Sequence, residues 1–383
     1  MSQSSSQLQA LLDPEVSVTS FPVRAEAVKY TRGAYHALFA EPQVLEGRVL
    51  HGIAARVAEL QGSAELARHH RAASGTSETS LAAENGRERA LLAHAEHITV
   101  SPALVSKDDQ LALEIAGVSA DEIVLVSQVV AFTSFLLRAL YALELLAGPV
   151  PEVLPAPRHD SPTAPSDGRR EGRTSRGSLV PEAFTREVLA WEPWVPAVAE
   201  AELTPVQIDS FATKSSTNSE YFRLLARVPA VLRARSALDD AVFLGAKGIA
   251  RGERELAATV ASRVNDCVYC ASVHSRKAAF QTKREADVDR LLAVPLERDG
   301  AWVAKDVTVL AEGQDPRWRA IVLFSARLSE LTPSASPEEV EALREQAIDE
   351  SSIADIAFAT AFFAWANRLM LTLGEAAVPD TAA

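Results

Sequence analysis

The longest apolar stretch of the chain, Ile123–Leu137, predicts a buried helix. A capping-box pattern, Ser119 followed by Glu122, precedes it, and such a pair satisfies free backbone N–H groups at a helix start. The apolar positions continue to Leu146, and Gly148 with the proline after it is typical of a helix end. Polar residues interrupt the stretch before it reaches the roughly 18 apolar residues of a membrane span. We therefore expect a buried helix of a globular protein.

A second long apolar helix is predicted near the C-terminal end of the chain. Ser352-x-x-Asp355 has the spacing of another capping box, and an apolar run extends from there to Leu373, where Gly374 ends it. Alternation of β-branched and polar residues is scarce, and the segment Ala301–Leu310 is a weak candidate for a strand. The pattern of the whole chain predicts an all-α fold.

Between the two long helices, the chain changes in composition. Residues 148–178 are rich in proline, then in glycine, arginine and serine, and they lack an apolar period. Such a segment buries too little surface to offset the entropy of ordering. We predict two helical domains, residues 1–147 and 181–383, joined by a flexible linker over residues 148–180. The basic run Arg169–Arg176 is interpreted as a solvated part of that linker.

The two predicted domains resemble each other in sequence. Matching positions occur in the same order in both: Ala54 with Ala258, Ser63 with Cys267, His70 with His274, Ile123 with Ile353, Phe132 with Phe362, and Arg138 with Arg368. One matched segment between two alanine-rich helices can arise by chance. Two matched segments in the same order indicate a repeat. We therefore predict a duplicated helical unit.

Composition narrows the classes of function. The 383 residues carry 38 basic and 51 acidic side chains, a net charge of −13, which disfavours a surface for nucleic acid. The first residues lack a basic region and a long apolar region, so we expect no signal peptide, no membrane insertion and a cytoplasmic protein. No glycine-rich phosphate loop is found, and we expect no bound cofactor. Two cysteines are too few for a secreted disulfide framework.

The two cysteines lie in one constellation of the second domain. Glu255 precedes Cys267, Cys270 and His274 with spacings of eleven, two and three residues. Asn265 and the aspartate after it predict a helix break and N-cap, which places Cys267 in the first turn of a new helix. On a helix, both thiols and His274 share one face. Glu255 lies on the preceding helix and reaches the site if the two helices pack together.

Each of these residue types has a chemical reason to be there. A helix N-terminus and a nearby imidazole favour the reactive thiolate. A thiolate that attacks a peroxide becomes a sulfenic acid, which a second thiol converts to a disulfide, and a Glu–His pair can relay the proton. A zinc site remains an alternative, although it normally needs four Cys or His ligands. Two inert buried cysteines are a further alternative.

The pattern Glu-x11-Cys-x2-Cys-x3-His resembles the active-site motif of the AhpD-like alkylhydroperoxidases, in the carboxymuconolactone decarboxylase superfamily. The segments YFRLLARVPAVLRAR and AFFAWANRLMLTLGE resemble the lead-in and closing helices of that family. The resemblance covers residues 219–375 well and residues 34–146 in degraded form. It implies an all-α fold, assembly into trimers or hexamers of domains, and a fusion of two such domains in this chain. We therefore expect a homo-oligomer, for which a trimer of two-domain chains is one arrangement.

The resemblance also implies roles for the four residues. Cys270 is expected to attack the peroxide, Cys267 to resolve the sulfenic acid, and His274 with Glu255 to relay protons. Some relatives have a histidine directly before the second cysteine, where this chain has Tyr269. The expected reductant of the disulfide is a protein dithiol or a lipoyl-type carrier, and the expected substrate is an organic or hydrogen peroxide.

The first copy departs from the motif. His51 stands at the glutamate position, Ser63 and Leu66 at the cysteine positions, and His70 matches His274. We predict that this domain is redox-silent and contributes structure or an interface, with an acid–base site at His51 and His70 as an alternative. For the whole chain, thiol peroxidase activity is favoured over thiol–disulfide exchange without peroxidase activity and over a non-enzymatic redox-sensing assembly module.

Overall fold

A computed structural model describes residues 3–13, 15–16, 22–75, 86–148, 150–155 and 172–379. The first half is helical, with helices α1 (Gln3–Leu12), α2 (Ala25–Phe39), α3 (Gly47–Leu60), α4 (Ala64–Ser74), α5 (Gly86–Val100), α6 (Lys107–Ile115) and α7 (Ala120–Leu146). A short 3-10 helix, Pro102–Leu104, separates α5 from α6. α7 begins at the Ser119–Glu122 capping box and ends at Leu146, as the sequence predicted.

The second half is also helical. Its helices are α8 (Pro205–Ile208), α9 (Glu220–Leu225), α10 (Pro229–Phe243), α11 (Arg251–Val264), α12 (Val268–Thr282), α13 (Glu285–Ala293), α14 (Pro316–Ser329), α15 (Pro337–Glu345) and α16 (Glu350–Thr372). Two short strands, β1 (Ala190–Pro193) and β2 (Gly374–Ala377), pair antiparallel with Trp191 opposite Ala376. The remaining 3-10 helices are Glu200–Glu202, Lys214–Asn218 and Thr308–Ala311. The predicted all-α class is confirmed.

Six helices recur in the same order in both halves. The pairs are α2 with α10, α3 with α11, α4 with α12, α5 with α14, α6 with α15, and α7 with α16. Local details recur with them: α6 and α15 both begin at a capping box, formed by Ser106 with Asp109 and by Ser336 with Glu339. The matched sequence positions therefore belong to a repeated arrangement of helices.

The two long helices pack against each other at the centre of the molecule. Every residue of α7 from Ile123 to Leu143 is buried, as is every residue of α16 from Ile353 to Met370. Trp365 Nε1 donates to Gln128 Oε1 across this contact at 2.8 Å. A helix that is apolar on all sides needs neighbours on all sides, and each long helix supplies one for the other. By length and composition α7 is long enough to cross a membrane, but its apolar window is wholly buried within the molecule.

Two matched arginines tie the halves together. Arg138, on α7, donates to the carbonyl of Glu330 at 2.6 Å, and Arg368, on α16, donates to the carbonyl of Thr99 at 2.9 Å. Both guanidinium groups are buried. In addition, α2 packs on α10, so the helices of one half complete the packing of the other. The two halves share one hydrophobic core.

The predicted capping box Ser352-x-x-Asp355 was wrong. α16 begins three residues earlier, with Asp349 as its N-cap accepting from the N–H of Ser352. Asp355 lies inside the helix and accepts from Arg24 Nε at 2.7 Å. An aspartate near a helix start fits the capping pattern, but Asp355 instead forms an ion pair with Arg24 of the first half.

The weak strand candidate Ala301–Leu310 was also wrong. Asp299 accepts hydrogen bonds from the N–H groups of Ala301 and Val303, both at 2.9 Å, which bends the chain into a turn. Trp302 has a positive φ of 64°. The segment forms an isolated bridge between Arg298 and Ala304, and then a 3-10 helix.

Part of the predicted linker lies outside the described residues, namely residues 149 and 156–171. Beyond it, Arg173 and Leu179 form an isolated bridge, and Thr174 donates to Glu192 at 2.6 Å. The division into domains at residues 147 and 181 stays a prediction.

Candidate active site

The turn between α11 and α12 places the cysteine pair. α11 ends at Val264, Asn265 is its C-cap, and Asp266 has a positive φ of 60°. Cys267 is the N-cap of α12, and Cys270 lies in its first turn. The predicted helix break is confirmed, but the N-cap is Cys267 itself and not the Asn265–Asp266 pair. The positive φ at Asp266 is what turns the chain so that α12 starts at the first thiol.

Both thiols are free and buried. Cys267 is 1% exposed and Cys270 is 5% exposed. Burial raises the pKa of the Cys267 thiol well above its ordinary value, and the neighbouring Cys270 thiol, hydrogen-bonded to it, raises it further. A thiol with a raised pKa stays protonated, and the thiolate is the nucleophile. Cys267 is therefore held as the protonated thiol in the reduced protein.

Glu255 and His274 meet across the two helices, as the motif predicted. His274 Nδ1 lies 2.6 Å from Glu255 Oε2, and Arg251 Nε donates to Glu255 Oε1 at 3.2 Å. Burial works to raise the pKa of the Glu255 carboxyl, but the hydrogen bond from His274 and the neighbouring positive groups hold that pKa below its ordinary value. The carboxylate is therefore ionised at neutral pH although its side chain is fully buried.

The imidazole of His274 is held in place by aromatic rings. Its centroid lies 4.3 Å from that of Phe363, edge to face, and 5.7 Å from that of Phe243. Burial lowers the pKa of His274, and the contact with Glu255 opposes this. With Nδ1 engaged by Glu255, the other ring nitrogen, Nε2, makes no hydrogen bond within the described part of the chain, and 14% of the side chain is exposed. Nε2 is free to exchange a proton with a reacting group.

The four predicted site residues thus lie on two packed helices, with the thiols at a helix start and an oriented imidazole one turn further along α12. Among the described residues, no group of three or more His, Cys, Asp or Glu side chains is arranged to hold a metal ion. A cavity of 710 Å³ opens beside Asp266, the residue before Cys267, and its walls include Phe184, Arg263 and Trp302. The arrangement can carry out dithiol–disulfide chemistry coupled to proton transfer.

The corresponding place in the first half has different chemistry. His51 and His70 lie 2.9 Å apart between their Nδ1 atoms, where the second half has Glu255 and His274. Ser63 is the N-cap of α4 and accepts from the N–H of Leu66, whose own side chain is buried. Burial lowers the pKa of His51 to about 4 and that of His70 well below its ordinary value. The first half keeps the geometry of the relay but has two neutral imidazoles and no thiol.

Two further polar side chains around the relay histidine and its aromatic neighbours were missed by sequence reasoning. Tyr221 comes from α9 and Arg235 from α10, outside the motif. Neither has a spacing relation to the cysteines that a sequence pattern could reveal, because packing of separate helices brings them close.

Comparison with known proteins shows that this region is similar to a family. Residues 229–308, which contain all four motif residues, match the sequence profile of the "Carboxymuconolactone decarboxylase family". This segment of the chain is therefore similar to that family, and the resemblance seen in the sequence is confirmed for it.

A solved structure is also similar to the chain. It is a peroxidase-related protein from Ralstonia eutropha JMP134, described as an alkylhydroperoxidase AhpD core and as uncharacterized. It is 24% identical over 50% of this chain and 92% of its own, with a TM-score of 0.37. Among curated proteins, none matches this chain.

Proposed function

We propose that the protein is a thiol-dependent peroxidase that reduces organic or hydrogen peroxides through Cys270 and Cys267. The observation that carries this proposal is the juxtaposition of two free thiols at the start of α12 with the 2.6 Å His274–Glu255 contact. A dithiol beside a proton relay is what reduction of an O–O bond requires.

In this proposal the proton of the Cys270 thiol passes to His274, whose positive charge Glu255 stabilises. The Cys270 thiolate attacks one peroxide oxygen, the S–O bond forms, the O–O bond breaks, and the departing alkoxide takes the proton back from His274. Cys267 then attacks the sulfenic acid, which releases water and leaves a Cys267–Cys270 disulfide. An external dithiol or lipoyl-type carrier restores both thiols.

The order of the two cysteines is supported by their surroundings. Burial raises the pKa of Cys267 and keeps that thiol protonated in the reduced protein. This disfavours the alternative of thiol–disulfide exchange started by Cys267, which requires that residue as the thiolate. A cytoplasmic location and assembly into a homo-oligomer remain part of the proposal.

The proposal is tested by comparing two serine variants under limiting cumene hydroperoxide. Cys267→Ser should accumulate one sulfenic acid per chain at Cys270, trapped by dimedone and located by mass spectrometry. Cys270→Ser should give no dimedone adduct at Cys267. An adduct confined to Cys267, or no adduct in either variant, would contradict the proposed roles.

A further inference from the structure

Two buried polar groups near the proposed site have no hydrogen-bond partner within the described part of the chain. They are the hydroxyl of Tyr221 and the Nε atom of Arg235. Buried polar groups in folded proteins are nearly always hydrogen-bonded, so each exception calls for an explanation. A partner that binds during the reaction is such an explanation.

The ring of Tyr221 is fixed by its neighbours. Trp191 packs on it edge to face at 5.3 Å between ring centroids, and Trp191 is itself held by a hydrogen bond from Nε1 to the carbonyl of Met370 at 2.9 Å. Burial raises the pKa of the Tyr221 phenol, Arg235 acts in the opposite direction, and the thiol positions of Cys270 and Cys267 raise it again. The hydroxyl is therefore protonated, and both thiols contribute to its electrostatic surroundings.

Arg235 extends the same group of side chains towards the relay. Its guanidinium lies 5.9 Å from the Tyr221 ring centroid and 5.0 Å from that of Phe362, whose neighbour Phe363 packs on His274. The residue is 4% exposed, and its carboxylate contact is a distant one, 4.0 Å to Asp239. A buried cation with so little compensation is stabilised by any anion that enters the site.

Taken with the proposed peroxidase reaction, on which this step rests, the geometry points to Tyr221 and Arg235 as the groups that bind the departing oxygen of the peroxide. When the Cys270 thiolate attacks, the S–O bond forms and the O–O bond breaks, and negative charge develops on the oxygen that leaves. The Tyr221 hydroxyl donates a hydrogen bond to that oxygen, and the Arg235 guanidinium stabilises its charge. His274 supplies the proton that converts the alkoxide to an alcohol.

In other active sites, fixed hydrogen-bond donors face a developing oxyanion. Such donors stabilise the transition state more than the ground state, and this arrangement is similar. It also gives a role to the polar groups that the cysteine motif does not contain. Tyr221 is thus a catalytic residue of the peroxide step and has no part in the later attack of Cys267 on the sulfenic acid.

The test compares oxidation of the thiol pair by cumene hydroperoxide and by diamide in the full-length protein. Diamide oxidises the two thiols without a departing oxygen. In Tyr221→Phe, we expect the second-order rate constant with the peroxide to fall about 100-fold, the usual effect of losing one oxyanion donor, and the diamide rate to stay unchanged. Arg235→Lys keeps the charge and loses the planar fork, so its peroxide rate should fall as well.

Tyr141→Phe is the matched control, because the Tyr141 hydroxyl is buried but already donates to the carbonyl of Ala335 at 2.7 Å. That variant should keep the peroxide rate and melt at a lower temperature than the wild type. Tyr221→Phe loses no hydrogen bond, so its melting temperature should stay at the wild-type value. A wild-type peroxide rate in Tyr221→Phe overturns the inference alone, as does an equal loss of both rates. A wild-type protein that no peroxide oxidises overturns the proposed function, and the inference falls with it.

Discussion

The carboxylate of Glu255 is fully buried, and its position beside His274 and Arg251 is what makes its negative charge tolerable there. Burial alone favours the neutral acid. The two donors reverse this, so that the carboxylate stays ionised and fixes His274 Nδ1–H towards it. Nδ1 is thereby engaged, and in the proposed reaction Nε2 is the proton acceptor.

Replacing Glu255 with glutamine should slow the peroxide reaction. The amide has nearly the same shape but stabilises a protonated imidazole much less, and loss of an effective acid–base group lowers rates about 100-fold. The measurement is the rate of thiol loss with cumene hydroperoxide. Glu253→Gln is a matched control on the same helix. Glu253 Oε1 accepts from Arg317 Nε at 2.6 Å and is not part of the Glu255–His274 pair. Equal rates in both variants would contradict the role of Glu255.

At this scale, spacing along the sequence predicted which motif residues lie together, but it did not predict the side chains from other helices around them. Cys267, Cys270 and His274 lie within the first two turns of α12. Their spacing along the chain therefore determines that they share one face of the helix. Tyr221 and Arg235 depend on how α9 and α10 pack around the site, which no local pattern encodes. Asp355 shows the same limit, because its partner Arg24 lies in the other half of the chain.

Among the helices, α4 and α12 show most directly how one element was adapted. Both begin after a residue with positive φ, Gly62 or Asp266, and both have a small polarisable residue at the N-cap, Ser63 or Cys267. The Ser63 hydroxyl accepts a hydrogen bond from the first turn of its helix, whereas Cys267 places a sulfur atom, a weaker acceptor, at the same position. The copy with the cysteines therefore has a weaker helix cap at this turn.

This comparison predicts the stability of N-cap variants. Cys267→Ser should be more stable than Cys267→Ala by about 1 kcal/mol, because a serine oxygen accepts from the first turn of the helix. Ser63→Ala should lose a similar amount relative to the wild type. Urea unfolding of the reduced proteins measures both differences. Equal stability of the serine and alanine variants at position 267 would contradict the interpretation of this turn.

The whole molecule is built around α7 and α16, and the half without cysteines is part of the same core. Apolar periodicity predicted both long helices, but it left open whether each lay inside its own domain. The contact between Gln128 and Trp365, and those of Arg138 and Arg368, place them against each other. The first half therefore covers α16 of the half that contains the cysteines.

Separated halves should show this dependence. A fragment of residues 172–383 exposes the face of α16 that α7 covers, and we expect it to bind a hydrophobic dye and to aggregate. The matched control is the full chain with a protease site introduced between residues 156 and 171. After cleavage, its two pieces should remain together in size-exclusion chromatography and keep the helical circular dichroism signal. A stable, soluble 172–383 fragment would contradict the shared-core interpretation.

Buried neutral histidines should make the whole molecule sensitive to acid. Burial lowers the pKa of His51 and that of His94 to about 4 in the folded state. Between about pH 6.5 and pH 4 the unfolded chain therefore binds more protons, so the free energy of unfolding decreases as the pH falls through this window. For the enclosed His94, the loss from pH 7 to pH 5 is about 2 kcal/mol.

Urea unfolding at pH 7 and pH 5 measures this loss. His94→Gln should reduce the difference between the two pH values, and His36→Gln, at a side chain that is 66% exposed, should leave it unchanged. If stability were the same at both pH values in the wild type, the two histidines would not be neutral and buried as described.

The central claim, that Cys267 and Cys270 form a redox pair driven by peroxide, is tested most directly by one mass measurement. The reduced protein is treated with one equivalent of cumene hydroperoxide, alkylated and digested, and the peptide that contains both cysteines is analysed. The account predicts an intramolecular Cys267–Cys270 disulfide, two mass units lighter than the dithiol. Two alkylated cysteines under conditions that oxidise a known thiol peroxidase would contradict it.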